Sequence, residues 1–204
     1  MKNICVIGSG ISGSTIANLL SKKYKVDVYE KAKGIGGRSS YRRYLNNFGF
    51  DHGLQYISPK TSKFKKFCYS LQKKRILKNW RGTHKFNSNK VLENKKHTKL
   101  IGVKGNNAIS KYLLKNINCI FGYELFKIER IRKNWKLSFL NGDVKYYEIL
   151  IISIPFAQSK KLLKKFLPNF FKNKKVKMEA NITVMTVTNK IKNNFSSFLF
   201  NDEV

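Results

Sequence analysis

The sequence of 204 residues is poor in proline, cysteine and acidic side chains. Three prolines and 13 glycines are too few for a collagen-like or linker-like chain. The three cysteines lie far apart, with no CxxC pair and no Cys/His spacing of zinc ligands, so neither a disulfide framework nor a metal site is expected. No apolar run approaches the length of about 18 residues that a transmembrane helix needs. We therefore expect a cytoplasmic protein that does not enter the membrane.

The shortage of acidic residues leaves the chain strongly basic. Lysine and arginine number 42 against 11 aspartates and glutamates, which gives a formal net charge of +31. This charge permits binding to nucleic acid or anionic lipid, but the lysines are spread along the chain instead of being concentrated in one block. We interpret the charge as a compositional bias over ordinary surface positions and do not expect nucleic acid to be the partner. A hydrophobic fraction of 42% excludes wholesale disorder.

The first part of the chain has the pattern of a βαβ unit. Apolar runs at residues 3–7 and 25–29 predict two buried parallel strands. Between them, Ile16, Leu19 and Leu20 recur at helical spacing. Strand, helix and strand within about thirty residues match the size of this unit. The pattern predicts an α/β fold with a parallel, Rossmann-like sheet.

A glycine-rich turn joins the first strand to the helix. Gly8, Gly10 and Gly13 have G-x-G-x-x-G spacing, and an acid, Glu30, closes the next strand. In this context the motif indicates dinucleotide binding: Gly8 makes the sharp turn, Gly10 admits a pyrophosphate, and Gly13 lets the helix pack on the strand. The helix N-terminus offers free N–H groups to the phosphates. A carboxylate at Glu30 accepts hydrogen bonds from a ribose and repels a 2′-phosphate, which favours FAD or NAD over NADP.

A second glycine-rich segment follows in a basic loop at residues 33–43. Gly36, Gly37 and Arg38 leave the second strand at the end where the pyrophosphate is expected. A guanidinium there can bridge phosphate oxygens. This loop, together with the lack of a compact second βαβ unit after Glu30, disfavours an NAD-dependent dehydrogenase and favours FAD.

The rest of the chain alternates between helical and extended patterns. Asn141-Gly142, between two alternating runs, is the strongest short-range signal for a β-hairpin. Helices are predicted at residues 61–77, 107–115 and 157–167. Strands or extended segments are predicted at residues 48–57, 117–131, 135–139, 144–147, 149–154, 182–188 and 196–200.

The series of glycine turn, strand-terminal acid and GGR loop resembles that of the FAD-dependent amine-oxidase-type flavoproteins. Four segments are similar to the renalase-like branch of these proteins: residues 36–43 (GGRSSYRR), 50–56 (FDHGLQY), 101–109 (IGVKGNNAI) and 149–155 (ILIISIP). Lys104 and Asn106 stand where that branch usually has proline and methionine. The resemblance runs from about residue 3 to about residue 165.

The resemblance implies noncovalent FAD and a hydride transfer to it from a small-molecule substrate that is amine-like or dihydronicotinamide-like. Direct hydride transfer requires no general acid or base, so no catalytic side chain is named, and His52 is interpreted as structural. The cofactor-binding residues implied by the motif and the resemblance are Gly8, Ser9, Gly10, Ile11, Ser12, Gly13, Glu30, Lys31, Gly37, Arg38, Gln55, Tyr56 and Leu125.

The resemblance also implies a division of the chain. The Rossmann-like FAD-binding portion is expected to comprise residues 1–57, about 100–131 and 149–165. An incomplete α+β substrate domain is expected at about 58–99 and 166–204. Flavoproteins of this type are much longer, so we expect an N-terminal fragment, a truncated product, or half of a split protein completed by a C-terminal chain. The alternatives are an inactive flavoprotein remnant and a basic fragment that binds polyanions, including nucleic acid.

Overall fold

A computed structural model describes residues 2–44, 48–80, 84–86, 99–174, 176–187 and 197–199. Helices and strands alternate in the first part, and strands dominate the middle of the chain. The helices are α1 (Ile11–Leu20), α2 (Ser62–Lys73), α3 (Ala108–Leu113), α4 (Phe156–Leu163) and α5 (Pro168–Asn173). The strands are β1 (Asn3–Ile7), β2 (Lys25–Glu30), β3 (Tyr41–Tyr44), β4 (Phe48–Asp51), β5 (Leu77–Asn79), β6 (His84–Phe86), β7 (Leu100–Gly102), β8 (Asn118–Phe121), β9 (Leu125–Ile131), β10 (Asn134–Phe139), β11 (Val144–Tyr147), β12 (Ile149–Ile152) and β13 (Ser197–Leu199).

A four-stranded parallel sheet with the order β12-β1-β2-β8 forms the centre of the molecule. The inner strand β1 is buried from Ile4 to Ile7, as expected for a strand that is covered on both faces. The short apolar runs of the sequence arise from this double burial. The α/β fold with a parallel, Rossmann-like sheet is thereby confirmed.

The order of the strands places a topological switch point at the carboxyl end of β1. The chain leaves β1 for β2 on one side, whereas β12 pairs with β1 on the other side. In open α/β sheets, ligands bind in the crevice at such a point. Gly8 follows β1 directly, so the glycine turn lies at the place where the topology predicts a ligand.

An antiparallel meander of β9, β10 and β11 connects β8 to β12. The predicted hairpin at Asn141-Gly142 is present, and Gly142 has a φ of 88°. The meander packs on one face of the parallel sheet, where Tyr29 of β2 stacks on Phe139 of β10 with ring centroids 4.8 Å apart. Residues 125–131 therefore belong to the antiparallel meander and not to the parallel sheet.

The opposite face of the sheet is covered by α1 and α3. Ile4, Val6 and Val28 of the sheet pack with Ala17 of α1 and Leu114, which follows α3. A separate cluster forms around α2, with Cys68 and Leu71 buried against Leu77, Leu100 and Ile109. The helical face predicted from the sequence, Phe64, Phe67, Cys68 and Leu71, is the face that packs in this cluster.

Three predicted elements differ from the structure. The helix predicted at 61–77 ends at Lys73, because Arg75 takes a φ of 55° and Leu77 enters the core as part of β5. The helix predicted at 157–167 ends at Leu163, and Pro168, which has no N–H to donate, begins the separate helix α5. The basic loop predicted at 33–43 contains a 3₁₀ turn at Gly37–Ser39 and the start of β3.

Of three further predictions, two hold only in part and one does not hold. Residues 48–57 form a strand only over Phe48–Asp51. Residues 182–187 have no regular element despite their alternating pattern, since the structure pairs them with no neighbouring strand in the part of the chain that it describes, and residue 188 lies outside that part. Of the predicted strand at 196–200, Ser197–Leu199 pairs in parallel with β6. Across the described ranges, no helix combines the length and apolar character needed to cross a membrane.

Candidate functional site

The glycine turn is held tightly between β1, α1 and the segment after β12. Gly8 has a φ of 100°, and its N–H donates to the carbonyl oxygen of Tyr29 over 2.8 Å. A Cβ on Gly13 would stand 2.0 Å from the carbonyl oxygen of Gly8, and a Cβ on Gly8 would stand 3.0 Å from that of Ser153. Any other residue at Gly13 would therefore push α1 away from the strand.

The N-terminus of α1 has the properties of an anion-binding site. The first bond of the helix runs from the N–H of Ser14 to the carbonyl oxygen of Gly10 over 2.8 Å, so the amides of residues 11–13 have no acceptor within the helix. The first turn contains no acidic residue, and Gly10 has no capping side chain. Gly10 itself places no side chain in front of these amides, and a Cβ there would meet only the backbone of Gly36 and Gly37, at 3.9 Å.

Glu30 is buried beside the turn, with 8% of its surface exposed. Its Oε2 accepts hydrogen bonds from the N–H of Ser9 over 2.9 Å and from Oγ of Ser9 over 2.7 Å, and its Oε1 accepts the N–H of Ala32 over 3.0 Å. An ionised carboxylate has about four acceptor positions, so one remains on Oε1 for a ribose hydroxyl. Glu30, the predicted ribose acceptor, therefore also holds the glycine turn in place through Ser9. The sequence analysis missed this role of the two residues.

The two glycine-rich segments lie against each other. Gly10 and Gly36 form an isolated parallel bridge, and the N–H of Gly36 donates to the carbonyl oxygen of Ser9 over 3.2 Å. A Cβ on Gly37 would stand 3.1 Å from Cα of Gly10. Arg38 follows with an exposed side chain, and its carbonyl oxygen accepts the N–H of Leu54 over 3.0 Å. The structure thus brings the GGR loop to the mouth of the turn, where the sequence analysis expected it.

Gln55 is positioned through Asn106, which is completely buried. Nδ2 of Asn106 donates to the carbonyl oxygens of Leu54 over 2.6 Å and of Gln55 over 3.0 Å. Oδ1 of Asn106 accepts the N–H of Gly102 over 2.9 Å, and its own N–H donates to Oδ1 of Asp51 over 2.7 Å. Burial raises the pKa of Asp51, and the hydrogen bond from Asn106 opposes this rise.

Asn106 is therefore a structural centre, whereas the sequence showed only that it stands where the resembling proteins usually have methionine. The sequence did contain a signal for this role, because Asn106 is polar where the resembling proteins usually carry the apolar residue methionine. A buried amide needs its donors and acceptors satisfied, and here all three side-chain bonds go to backbone groups. The side chain of Gln55 itself is exposed.

Tyr56 lies in a group of aromatic and basic side chains. Its ring is 5.3 Å from that of Trp80, and Nζ of Lys99 stands 4.7 Å from the centroid of the Tyr56 ring. His52 also has local contacts: Nε2 lies 3.0 Å from Oγ of Ser40, and its carbonyl oxygen accepts the hydroxyl of Thr183 over 2.9 Å. These contacts hold the segment after β4 in place. That Tyr56 binds a cofactor and that His52 is structural both stay predictions.

Lys31 and Leu125 lie near the end of β2 that carries Glu30. Nζ of Lys31 is 3.7 Å from Oε1 of Glu124, and both side chains are about half exposed. The N–H of Tyr123 donates to the carbonyl oxygen of Glu30 over 3.1 Å, which holds the start of β9 beside the expected ribose position. The side chain of Leu125 is buried in the core under the meander, so only its backbone is available to a ligand.

The residues that converge at one place are the glycine turn, Glu30 and the GGR loop, with Lys31 and the backbone near Leu125 at the ribose end. Together they suit the ADP portion of a dinucleotide. The amides at the start of α1 can donate to the diphosphate, Glu30 has an acceptor position left for the ribose, and the glycines place no side chain between them. Within the described residues, no group of three His, Cys, Asp or Glu side chains lies close enough to hold a metal ion. Two open concavities, of about 490 and 420 Å³, lie elsewhere, one between β9 and α4 and one beside Trp80.

Comparison with known proteins agrees with this geometry. Residues 6–71 match the family model of the NAD(P)-binding Rossmann-like domain, a range that contains the glycine turn, Glu30 and the GGR loop. Among solved structures, the chain is similar to the crystal structure of tetracycline destructase Tet(51), with a TM-score of 0.54 and 14% identity. The match covers 80% of this chain and 41% of that chain, so the chain spans about two fifths of the length of that protein. At this identity the likeness concerns the fold alone.

Proposed function

We propose that the chain binds FAD noncovalently and forms the cofactor-binding part of a renalase-like oxidoreductase. The observation that carries the proposal is the contact of Gly10 with Gly36 and Gly37 at the open N-terminus of α1. Two glycine segments meet there without a side chain between them, beside amides that have no acceptor in the helix. This arrangement leaves room for a diphosphate and supplies the hydrogen-bond donors for it.

The neighbouring residues support a dinucleotide whose adenosine ribose carries no 2′-phosphate. Glu30 offers one further acceptor position to a ribose hydroxyl, and its negative charge disfavours a phosphate at the same place. The protein's high positive charge attracts a diphosphate from solution. NAD meets these conditions as well, and it is therefore the first competitor to test.

The GGR loop and the segment around Gln55 favour FAD over NAD. Arg38 follows the glycines that touch Gly10, so its guanidinium is available to bridge phosphate oxygens. Gln55 carries both a donor and an acceptor on an exposed side chain, and the buried Asn106 fixes its backbone. In this proposal, Gln55 and Tyr56 bind and orient the ring end of the cofactor.

FAD supplies hydride chemistry when it is bound. The chain's own residues bind the diphosphate, orient the ring and, in this proposal, move no proton. The substrate class that we propose is an amine-like or dihydronicotinamide-like small molecule. Because the chain spans only part of the protein that it resembles in fold, activity and substrate belong to the whole protein, completed if needed by a C-terminal chain.

The proposal is tested by titrating the purified chain into FAD and following flavin fluorescence, with NAD and NADP as competitors. We expect FAD to bind and NADP to compete poorly. In Gly10→Leu, a side chain would block the amides at the diphosphate position, and loss of charge-assisted hydrogen bonds predicts affinity at least about tenfold weaker. The φ of Gly10 is −67°, and a Cβ there meets only Gly36 O and Gly37 Cα, both at the ordinary contact distance of 3.9 Å, so this variant is expected to fold.

Gly34→Leu is the matched control, because Gly34 belongs to the second glycine-rich segment, close in sequence to Gly36, and a Cβ there meets nothing within 4 Å. Its affinity for FAD should stay within about twofold of wild type, well below the 1.4 kcal/mol that a tenfold change represents. Absence of FAD binding to the wild-type chain contradicts the proposal. Tighter binding of NAD than of FAD contradicts it as well. So does an equal loss of FAD affinity in Gly10→Leu and Gly34→Leu.

The alternative function is binding of polyanions, which the net charge of +31 supports. It predicts affinity for single-stranded nucleic acid that falls steeply as salt is raised. It also predicts that Gly10→Leu leaves this affinity unchanged, because the substitution alters no charge. The same two variants therefore separate the two functions.

A further inference from the structure

A groove of about 490 Å³ lies between β9 and α4, and it is lined by none of the proposed cofactor-binding residues. Its floor is apolar, since Ile128 and Leu162 are buried members of the core under the meander. Phe126 stands at the groove with 52% of its surface exposed. Because Ile128 and Leu162 are 1% and 9% exposed, the apolar surface that a partner can cover in this groove is mainly that of Phe126.

Lysines surround this apolar floor. Lys161, Lys164 and Lys165 line the groove on the α4 side, and Lys127 lines it on the β9 side. Lys161 and Lys164 are three residues apart at the end of α4, where the N–H of Lys164 still bonds to Lys160. Side chains at this spacing lie on one face of a helix, so both cations are directed to the same side.

The two sides of the groove differ in how far their charge is neutralised. Nζ of Lys127 lies 3.0 Å from Oε1 of Glu129, and Nζ of Lys136 lies 3.7 Å from Oε2 of the same carboxylate. Together with Lys165, these lysines lower the pKa of Glu129, mainly through the hydrogen bond from Lys127. In the described part of the chain, no carboxylate lies within the ion-pair distance of 4 Å from Lys161 or Lys164.

We propose that this groove docks an acidic segment of a partner protein that also carries apolar side chains. Carboxylates of the segment pair with Lys161 and Lys164, as Glu129 already pairs with the lysines on the β9 side. An apolar side chain of the segment covers Phe126 and the floor. A second copy of this chain is disfavoured as the occupant, because two molecules of net charge +31 repel each other.

The proposal is independent of cofactor binding and is tested with two labelled synthetic peptides of equal length and charge. One alternates glutamate with leucine, and the other alternates glutamate with glycine. Binding to the full chain is followed by fluorescence anisotropy, with single-stranded oligothymidylate as a third probe. We expect the leucine-containing peptide to bind more tightly than the glycine-containing peptide, and Phe126→Ser to remove this difference.

The charge requirement is tested by the double variant Lys161→Glu, Lys164→Glu. Its matched control is Lys63→Glu, Lys66→Glu on α2, which has the same spacing and charge change at exposed positions. We expect affinity for the leucine-containing peptide to fall about tenfold in the first variant, because attraction becomes repulsion, and at most about threefold in the control through the change in net charge.

Three results overturn the proposal. An equal loss of affinity for the leucine-containing peptide in both double variants means that net charge alone attracts the peptide. Equal binding of the two peptides means that the apolar floor takes no part. Tighter binding of the oligothymidylate, lost in Lys161→Glu, Lys164→Glu, assigns the groove to nucleic acid instead. All four proteins are compared by circular dichroism, and the exposed positions of the substitutions predict unchanged folds.

Discussion

Ser9 donates two hydrogen bonds to the same oxygen of Glu30, although 21 residues separate them in the chain. The bonds come from the backbone N–H and the side-chain Oγ of Ser9, and both groups are buried. The connection joins the end of β2 to the glycine turn after β1. These bonds hold the turn through groups of the protein itself.

Replacing Glu30 should therefore affect stability as well as binding. Glu30→Ala leaves the buried N–H and Oγ of Ser9 and the part-buried N–H of Ala32 without an acceptor, and the expected loss in the free energy of unfolding is about 3 kcal/mol. The measurement is urea denaturation followed by circular dichroism. Glu148→Ala is the control, because Glu148 accepts the N–H of Asn3 at an exposed site, where water replaces the carboxylate. A loss of similar size in both variants would contradict the prediction.

Asn106→Leu tests whether the buried amide positions the segment around Gln55. The change leaves the N–H of Gly102 and the carbonyl oxygen of Leu54 without their partners, and we expect about 3 kcal/mol of destabilisation. We also expect weaker FAD binding in protein that is still folded, with altered flavin absorbance when it binds. Asn118→Leu is the control, because Asn118 makes its bond to Asp27 at the exposed edge strand β8. Unchanged stability and unchanged FAD binding in Asn106→Leu would contradict the proposed positioning role of Asn106.

The pH dependence of stability should reveal the buried environment of Asp51. Burial raises the pKa of this carboxyl above its ordinary value of 3.8. A carboxyl with a raised folded-state pKa contributes stability that is fully present below pH 3.8 and is lost as the pH rises through the folded-state value. Asp51→Asn, whose side-chain oxygen can still accept the bond from Asn106, should therefore gain stability relative to wild type as the pH rises from 3 to about 7.

The comparison uses urea denaturation at a series of pH values. Asp143→Asn serves as the control of opposite sign, because the hydroxyl of Tyr123 donates to Asp143 and lowers its pKa. This variant should lose stability relative to wild type as the pH rises. A difference between Asp51→Asn and wild type that does not change with pH would refute the prediction.

The parts of the fold that rest on neighbouring residues were predictable. The turn of Gly8, Gly10 and Gly13 stands between its strand and its helix, and the hairpin at Asn141-Gly142 is present, because each depends on a few consecutive residues. The helix predicted over 61–77 was too long, since its end depends on the core that Leu77 enters. The alternation at residues 182–187 predicted a strand, but a strand exists only where another strand offers its hydrogen bonds.

The βαβ unit, the position of the glycine turn and the charge of the surface follow from the amino-acid sequence, because residue size, backbone freedom and polarity act locally. The specific contacts required the folded structure: the bridge between Gly36 and Gly10, the bonds from Ser9 to Glu30, and the bond from Asn106 to the carbonyl oxygen of Gln55. Each of these contacts joins segments far apart in the chain. The geometry of these contacts follows from how the sheet and the helices pack. The local pattern of residues does not specify how closely two distant segments approach each other.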